Sequence, residues 1–188
     1  MTIETITPIA KAIRERRSIK KDYLDIPVTE KFIMGILEEA VWAPTHGLRE
    51  PWRFIIVPTE NKNQFVEDMI TFFPEERREN RRKYFEQPAA FLIVIMPKSE
   101  EQKKQDEDFG AVSCLIHNFQ LLAWEKDLGV VWKTNPHIYD PGVEKLLDLE
   151  TNEKIAGFLH LGFFEKNNSV KAQPRTSPLK KSTIYGQK

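Results

Sequence analysis

The sequence predicts an α+β domain with about four strands, long helices and an extended tail. Three observations predict it. Residues 89–96 (AAFLIVIM) form a continuous apolar run bounded by Pro88 and Pro97, which reads as a central strand buried on both faces. Residues 101–128 form the longest helix candidate, apolar on nearly every side from Phe109 to Trp124. From Glu165 onward the chain is polar, rich in Pro, Ser and Lys, and without periodicity.

The remaining elements follow in order. Thr7-Pro8 is a cap and first-turn proline for a helix over 7–17 that carries Ile9, Ala10 and Ile13 and ends in Arg14, Arg16 and Arg17. Pro27 breaks the connector after it. Thr29 caps a second helix with Ile33, Leu37, Ala40 and Val41 on one face, stopped at Ala43-Pro44. A loop follows, then a strand over 52–57. Residues 60–86 read as an irregular helix interrupted at Pro74, and its Phe72, Phe73, Tyr84 and Phe85 suit either a pocket roof or plain core packing. Gly129 is expected to end the long helix, with a short strand or extended loop over 130–133, a short helix around 141–148 and a strand over 154–163. A helix apolar all round must be wrapped by protein, which in a chain of 188 residues calls for a central position or a second subunit.

Composition excludes several functions. Lys plus Arg is 28 and Asp plus Glu is 28, so the formal net charge is zero and no basic excess exists for sequence-independent nucleic-acid binding. The single cysteine, Cys114, rules out an internal disulfide, and its apolar helix context predicts a buried, inert thiol. No apolar run is long enough to span a bilayer and no signal-peptide core is visible, so a cytoplasmic protein without membrane contact is expected. There is no G-x-G-x-x-G, phosphate loop or nucleophile elbow, and the four histidines lack zinc-ligand spacing. Neither a metal site nor a catalytic nucleophile is expected.

Four segments remain as candidates. The cluster 14–21 (RERRSIKK) offers Arg16, Arg17, Ser18 and Lys20, a set of guanidinium, hydroxyl and ammonium groups suited to a phosphate and a polyol, although a basic helix end also complements the helix dipole. In 43–52 (APTHGLREPW) two prolines bracket a loop carrying His46 and Arg49. Residues 130–133 (VVWK) place an aromatic and a cation after the long helix, and the tail carries Arg175 in PRTSPLKK.

Taken in this order, these segments resemble the FMN-dependent nitroreductase family. Its opening R-R-S-x-R corresponds to Arg16-Arg17-Ser18-Ile19-Lys20, and its A-P-S-x-x-N-x-Q-P-W loop to 43–52. The long D-x-G-x-A-x-x-N helix corresponds to Asp108 onward with Asn118 at the Asn position. The V-G-F-L-x-L-G strand corresponds to 156–162, and a Pro-Arg tail follows. His46 and the Trp132-Lys133 pair look most like the small NAD(P)H nitroreductase subgroup. The resemblance implies a single nitroreductase-like domain over 1–188, with a mostly antiparallel sheet of four to five strands flanked by helices. It implies FMN held by Arg16, Arg17, Ser18, His46, Val131, Trp132 and Lys133, with Glu50 at the position of the family's Gln; on their charge alone Lys20 is a further phosphate ligand, and so is Arg175 if the tail wraps onto the partner subunit. It further implies NADH or NADPH as electron donor, a small acceptor such as a nitroaromatic or quinone, and a homodimer with FMN at the interface, its tail from about residue 165 wrapping the partner.

Three positions depart from the pattern. Lys20 keeps the charge of the usual Arg but loses its fork, and Leu48 stands where many relatives have Asn. Glu50 replaces a Gln, exchanging an amide donor for an acceptor-only carboxylate that opposes negative charge on a reduced flavin, unless it pairs with Arg49 or another cation. Leu48 and Glu50 motivate an alternative, a flavin-binding or flavin-storage homodimer without significant turnover. A flavin-free protein that uses helix 109–124 only to dimerise is the other class of reading.

Overall fold

The computed structural model describes residues 6–166 and 171–186. Two amphipathic helices open the described chain. α1 (Pro8–Glu15) starts where the Thr7 hydroxyl accepts from the Ala10 amide at 3.3 Å, and α2 (Glu30–Ala40) where the Thr29 hydroxyl accepts from Phe32 at 3.2 Å. β1 (Arg53–Val57), α3 (Lys62–Ile70) and α4 (Glu75–Glu86) follow, the two helices parted at Pro74 as expected. Then come β2 (Ala90–Pro97), α5 (Gln102–Glu125), β3 (Leu128–Lys133), α6 (Pro141–Leu146) and β4 (Glu153–Phe163).

The strands form one four-stranded sheet in the order β1-β2-β4-β3, every pair antiparallel. A parallel bridge, Ser18 to Val130, lays the basic segment beside β3. β2 is central and buried on both faces, which explains its unbroken apolar run. Ala90, Leu92, Val94 and Met96 pack with α2 and α5, whereas Phe91, Ile93 and Ile95 pack with α3, α4 and α6. The result is a helix–sheet–helix sandwich.

A bulge on β4 positions one candidate residue. Val94 pairs with Gly157 and Ile95 with Ile155, leaving Ala156 as the extra residue. The Trp132 indole donates to the Ala156 carbonyl at 3.1 Å and lies over Gly157, where a Cβ would overlap it.

Three expectations are corrected. α5 ends at Glu125, because Asp127 turns the chain with a φ of 55°; Gly129 lies inside β3, where a Cβ would sit 2.7 Å from that of Ile19. α5 is also less enclosed than its composition suggests. Ala111, Val112, Leu115, Ile116 and Phe119 are buried, but Asp106, Gly110, Cys114 and His117 form an exposed stripe at helical spacing. Cys114 is therefore exposed rather than buried. The tail expectation falls partly on 167–170, outside the described residues; 171–186 are exposed and irregular apart from a 3-10 turn at Pro178–Lys180. No helix among the described residues is long and apolar enough to cross a membrane.

Candidate active site

The end of α1 separates two arginines by role. Arg17 Nη1 donates to the carbonyls of Arg14 and Arg16, both at 2.7 Å, and so satisfies the helix terminus. Arg16 makes no such bond. Its Nε and Nη1, and Nε of Arg17, are buried donors without a partner. Burial, then the neighbouring charges of Arg17 and Arg175, hold the Arg16 guanidinium below its ordinary pKa. Three guanidinium groups thus lie close enough to repel one another, an arrangement that an anion would complete.

Arg17 and Arg175, though not Arg16 itself, border a cavity of about 840 Å³ whose lining also includes Ser18, Lys20 and Gln173 and the carboxylates of Asp22 and Glu165. That volume lies in the range of cofactor and small-molecule sites. Its wall is fixed by the parallel bridge: the Ile19 amide donates to the Val130 carbonyl at 3.2 Å, and Ile19 packs on Trp124 and Phe164. Tyr23 reinforces the turn, its hydroxyl donating to the Ile19 carbonyl at 2.6 Å. Burial pushes the Tyr23 hydroxyl pKa up, so it remains a donor.

The VVWK segment meets the same region from β3. Val131 is buried and Trp132 is committed to β4, so the segment's free charge is Lys133. Burial, then repulsion from Lys20, lowers the Lys133 pKa. Its ammonium lies 5.5 Å from the centroid of the Tyr84 ring. Arg16, Arg17, Ser18, Lys20, Val131, Lys133 and Arg175 are therefore gathered around one edge of the sheet.

His46 and Glu50 are placed differently. His46, Gly47 and Leu48 form a 3-10 turn packed on α5, and His46 helps hold the Glu107 pKa down, behind the dominant hydrogen bond from Arg49. Arg49 donates to Glu107 and to buried Asp108, both at 2.9 Å. These bonds raise its pKa, Glu107 contributing most. Arg49 thus clamps the loop to α5 instead of taking the alternative pairing with Glu50. Glu50 is exposed, at a φ of 46°, with its amide donating to the Thr45 hydroxyl at 3.2 Å. Asn118 donates to the Ala40 carbonyl at 3.3 Å and ties α5 to α2.

Sequence reasoning missed a third group. Buried His137 and His160 lie among Phe73, Tyr84, Phe85, Phe91 and Phe158, each with Nε2 unpartnered. Burial above all lowers their pKa values, to about 4 for His137 and about 3 for His160. Their apolar sequence surroundings, PHIY and FLHL, were the available signal. Of the expected roof residues, Phe85 is fully buried and Phe72 packs on Gly142, so both are core; Tyr84 faces Lys133.

Residues 13–163, spanning the basic helix end, the prolyl loop and the whole sheet, match the model of the nitroreductase family. The chain belongs to that family. A curated relative from Bacillus subtilis (strain 168), with the provisional name NAD(P)H nitroreductase YfhC, is 37% identical over 167 residues, covering 85% of this chain and 86% of the relative. The crystal structure of a nitroreductase-like family protein from Bacillus cereus superposes with a TM-score of 0.88 at 34% identity, over 99% of this chain and 100% of that one. A nitroreductase-family fold from Desulfovibrio desulfuricans, crystallised in complex with FMN, gives a TM-score of 0.71 at 21% identity, over 90% of this chain and 94% of that one. This nitroreductase-family chain is accordingly an oxidoreductase of the nitroreductase type.

Proposed function

We propose that this member of the family carries FMN and passes electrons from NADH or NADPH to a small acceptor such as a nitroaromatic or quinone. The observation that carries the reading is Arg16, whose buried Nε and Nη1 lack a partner beside two further arginines. A phosphate supplies the missing charge and acceptors. Arg16, Arg17 and Arg175 would hold it, and the Ser18 hydroxyl would bind phosphate or a ribityl oxygen. When bound, FMN supplies the redox chemistry, relaying electrons from the nicotinamide to the acceptor.

The chain's own contribution is binding and electrostatics. Lys20 lines the cavity and Lys133 is close enough to feel its charge, so together they create positive potential that favours negative charge building up beside them. The Trp132–Ala156 bond fixes the backbone that carries Lys133. No side chain is needed as a nucleophile.

The site is read as shared between two copies. Neither His46 nor Glu50 lines the cavity that Arg17 and Arg175 border, so the partner's loop is the natural source of these groups. Exposed apolar side chains support pairing: Ile9 and Ile13 on α1, Trp42, Leu48 at the loop, and Phe109 on α5. The test is the cofactor itself. Purified protein should be yellow, release FMN on heating, and oxidise NAD(P)H when a quinone or nitroarene is supplied. Released FAD, or a colourless protein that does not take up FMN, would overturn the cofactor assignment; FMN without turnover would favour the storage alternative.

A further inference from the structure

α4 carries a dense set of cations, and most of them are accounted for. Arg82 pairs with Glu67, Lys83 lies 3.2 Å from Glu79, and Arg78 donates to the Phe73 carbonyl at 3.1 Å. Arg81 differs. It is half-buried, yet no carboxylate or carbonyl meets it among the described residues. Its guanidinium carbon lies 5.3 Å from the Phe73 ring centroid and 5.8 Å from that of Tyr84.

Tyr84 links this arginine to the candidate site. The same ring has Lys133 Nζ at 5.5 Å, and Lys133 in turn feels the charge of Lys20. The Asn135 amide donates to the Tyr84 hydroxyl at 3.3 Å, anchoring the ring that both cations approach. Beneath it, His137 and His160 are uncharged near neutral pH and offer no compensating anion. Asp140 is the carboxylate that acts on His137, and its Oδ1 already accepts from the Gly142 amide at 2.8 Å as the cap of α6. A chain of zero formal net charge therefore brings Lys133 and Arg81 to one aromatic ring, with Lys20 near enough to act on Lys133.

We propose that Arg81, with Tyr84 and Lys133, selects acceptors that carry a carboxylate or comparable anionic group on a planar ring. An arginine near ring faces keeps its N–H edge available, and that edge matches a carboxylate in two parallel hydrogen bonds. Phe73 and Tyr84 supply the surface against which a planar ring packs. Arg81 acts here as a specificity determinant and has no part in electron transfer. The inference rests on the reading of Lys20 and Lys133 as residues at the edge of the flavin site.

The experiment compares a matched pair, 4-nitrobenzoate and neutral 4-nitrobenzyl alcohol, on the FMN-loaded full chain. Affinity is measured by calorimetry with oxidised protein and no nicotinamide, and kcat/KM separately with NAD(P)H. The anion should be preferred about tenfold in both, through affinity and KM rather than kcat, and the preference should shrink as salt is raised. Arg81→Gln should abolish most of the preference and Arg81→Lys should keep part of it, with circular dichroism confirming that both fold. Equal affinity for the two compounds in the native protein, or an undiminished preference in Arg81→Gln, would overturn the inference. Should neither compound be reduced while the anion still binds better, the proposed turnover fails and the anion-reading wall stands.

Discussion

Replacing Arg16 by Ala tests the helix-end cluster most directly. In the free protein this guanidinium is costly: it is half-buried, repelled by Arg17 and Arg175, and two of its donors meet no acceptor. Its removal should therefore leave folding intact or slightly favoured. In the complex the same two donors would face a phosphate. A hydrogen bond to a charged group contributes about 1.5–3 kcal/mol, but the neighbouring arginines remain and partial exposure screens the charge. A net loss of about 2 kcal/mol is expected, or about 30-fold in Kd. Apoprotein titrated with FMN, followed by quenching of flavin fluorescence, reads this change, and circular dichroism verifies the fold. Affinity within twofold of the native value, with helix content unchanged, would refute the argument and reduce Arg16 to a helix-end charge.

Further expectations concern packing, acid sensitivity and assembly. Gly157→Ala should destabilise by about 1–3 kcal/mol, because a Cβ there overlaps the Trp132 indole; an unchanged thermal midpoint would contradict that packing. His137 and His160 bind protons more weakly folded, with pKa values of about 4 and about 3, than at the ordinary 6.5, so their contribution is complete above that value and declines as pH falls toward the folded ones. Urea midpoints should reveal a loss of about 2 kcal/mol per histidine between pH 7 and 5, flattened in His137→Phe and His160→Phe; an equally steep slope in the variants would assign it elsewhere. Sedimentation at low micromolar concentration should give about twice the 22.0 kDa chain mass, and a flavin-loaded monomer would refute the shared site.

Periodicity and punctuation disclosed most elements. The run between Pro88 and Pro97 is β2, and Thr7 and Thr29 start the helices they were expected to start. Errors arose where tertiary contacts decide. Gly129 looked like a helix stop, but its missing side chain makes room for Ile19, a contact across more than a hundred residues of sequence. Cys114 looked buried because its neighbours are apolar, yet it lies on the stripe of α5 that faces away from the sheet. The basic segment and VVWK were legible as separate candidates, while their adjacency depends on the Ser18–Val130 bridge. Arg81 stood out from its neighbours in the basic run only once the structure placed its guanidinium near the Phe73 and Tyr84 rings.

Two arginines of identical chemistry show how the fold divides support from recognition. Arg49 reaches two carboxylates, Glu107 and buried Asp108, and its charge is locally neutralised. Arg16 reaches none. The first is a strut, and the loop it serves needs one: Gly47, Leu48 and Glu50 all have positive φ, at 60°, 52° and 46°. For the two non-glycine residues that conformation costs about 1–3 kcal/mol each and persists only where the surroundings over-determine it. The Arg49 clamp to α5 and the prolines at 44 and 51 supply that constraint, so His46 and Glu50 are presented from a fixed platform. Strain held in this way beside an exposed histidine is hard to reconcile with an incidental connector. Under the proposed pairing of two copies, this platform is what would hold His46 and Glu50 in place to complete the partner's site.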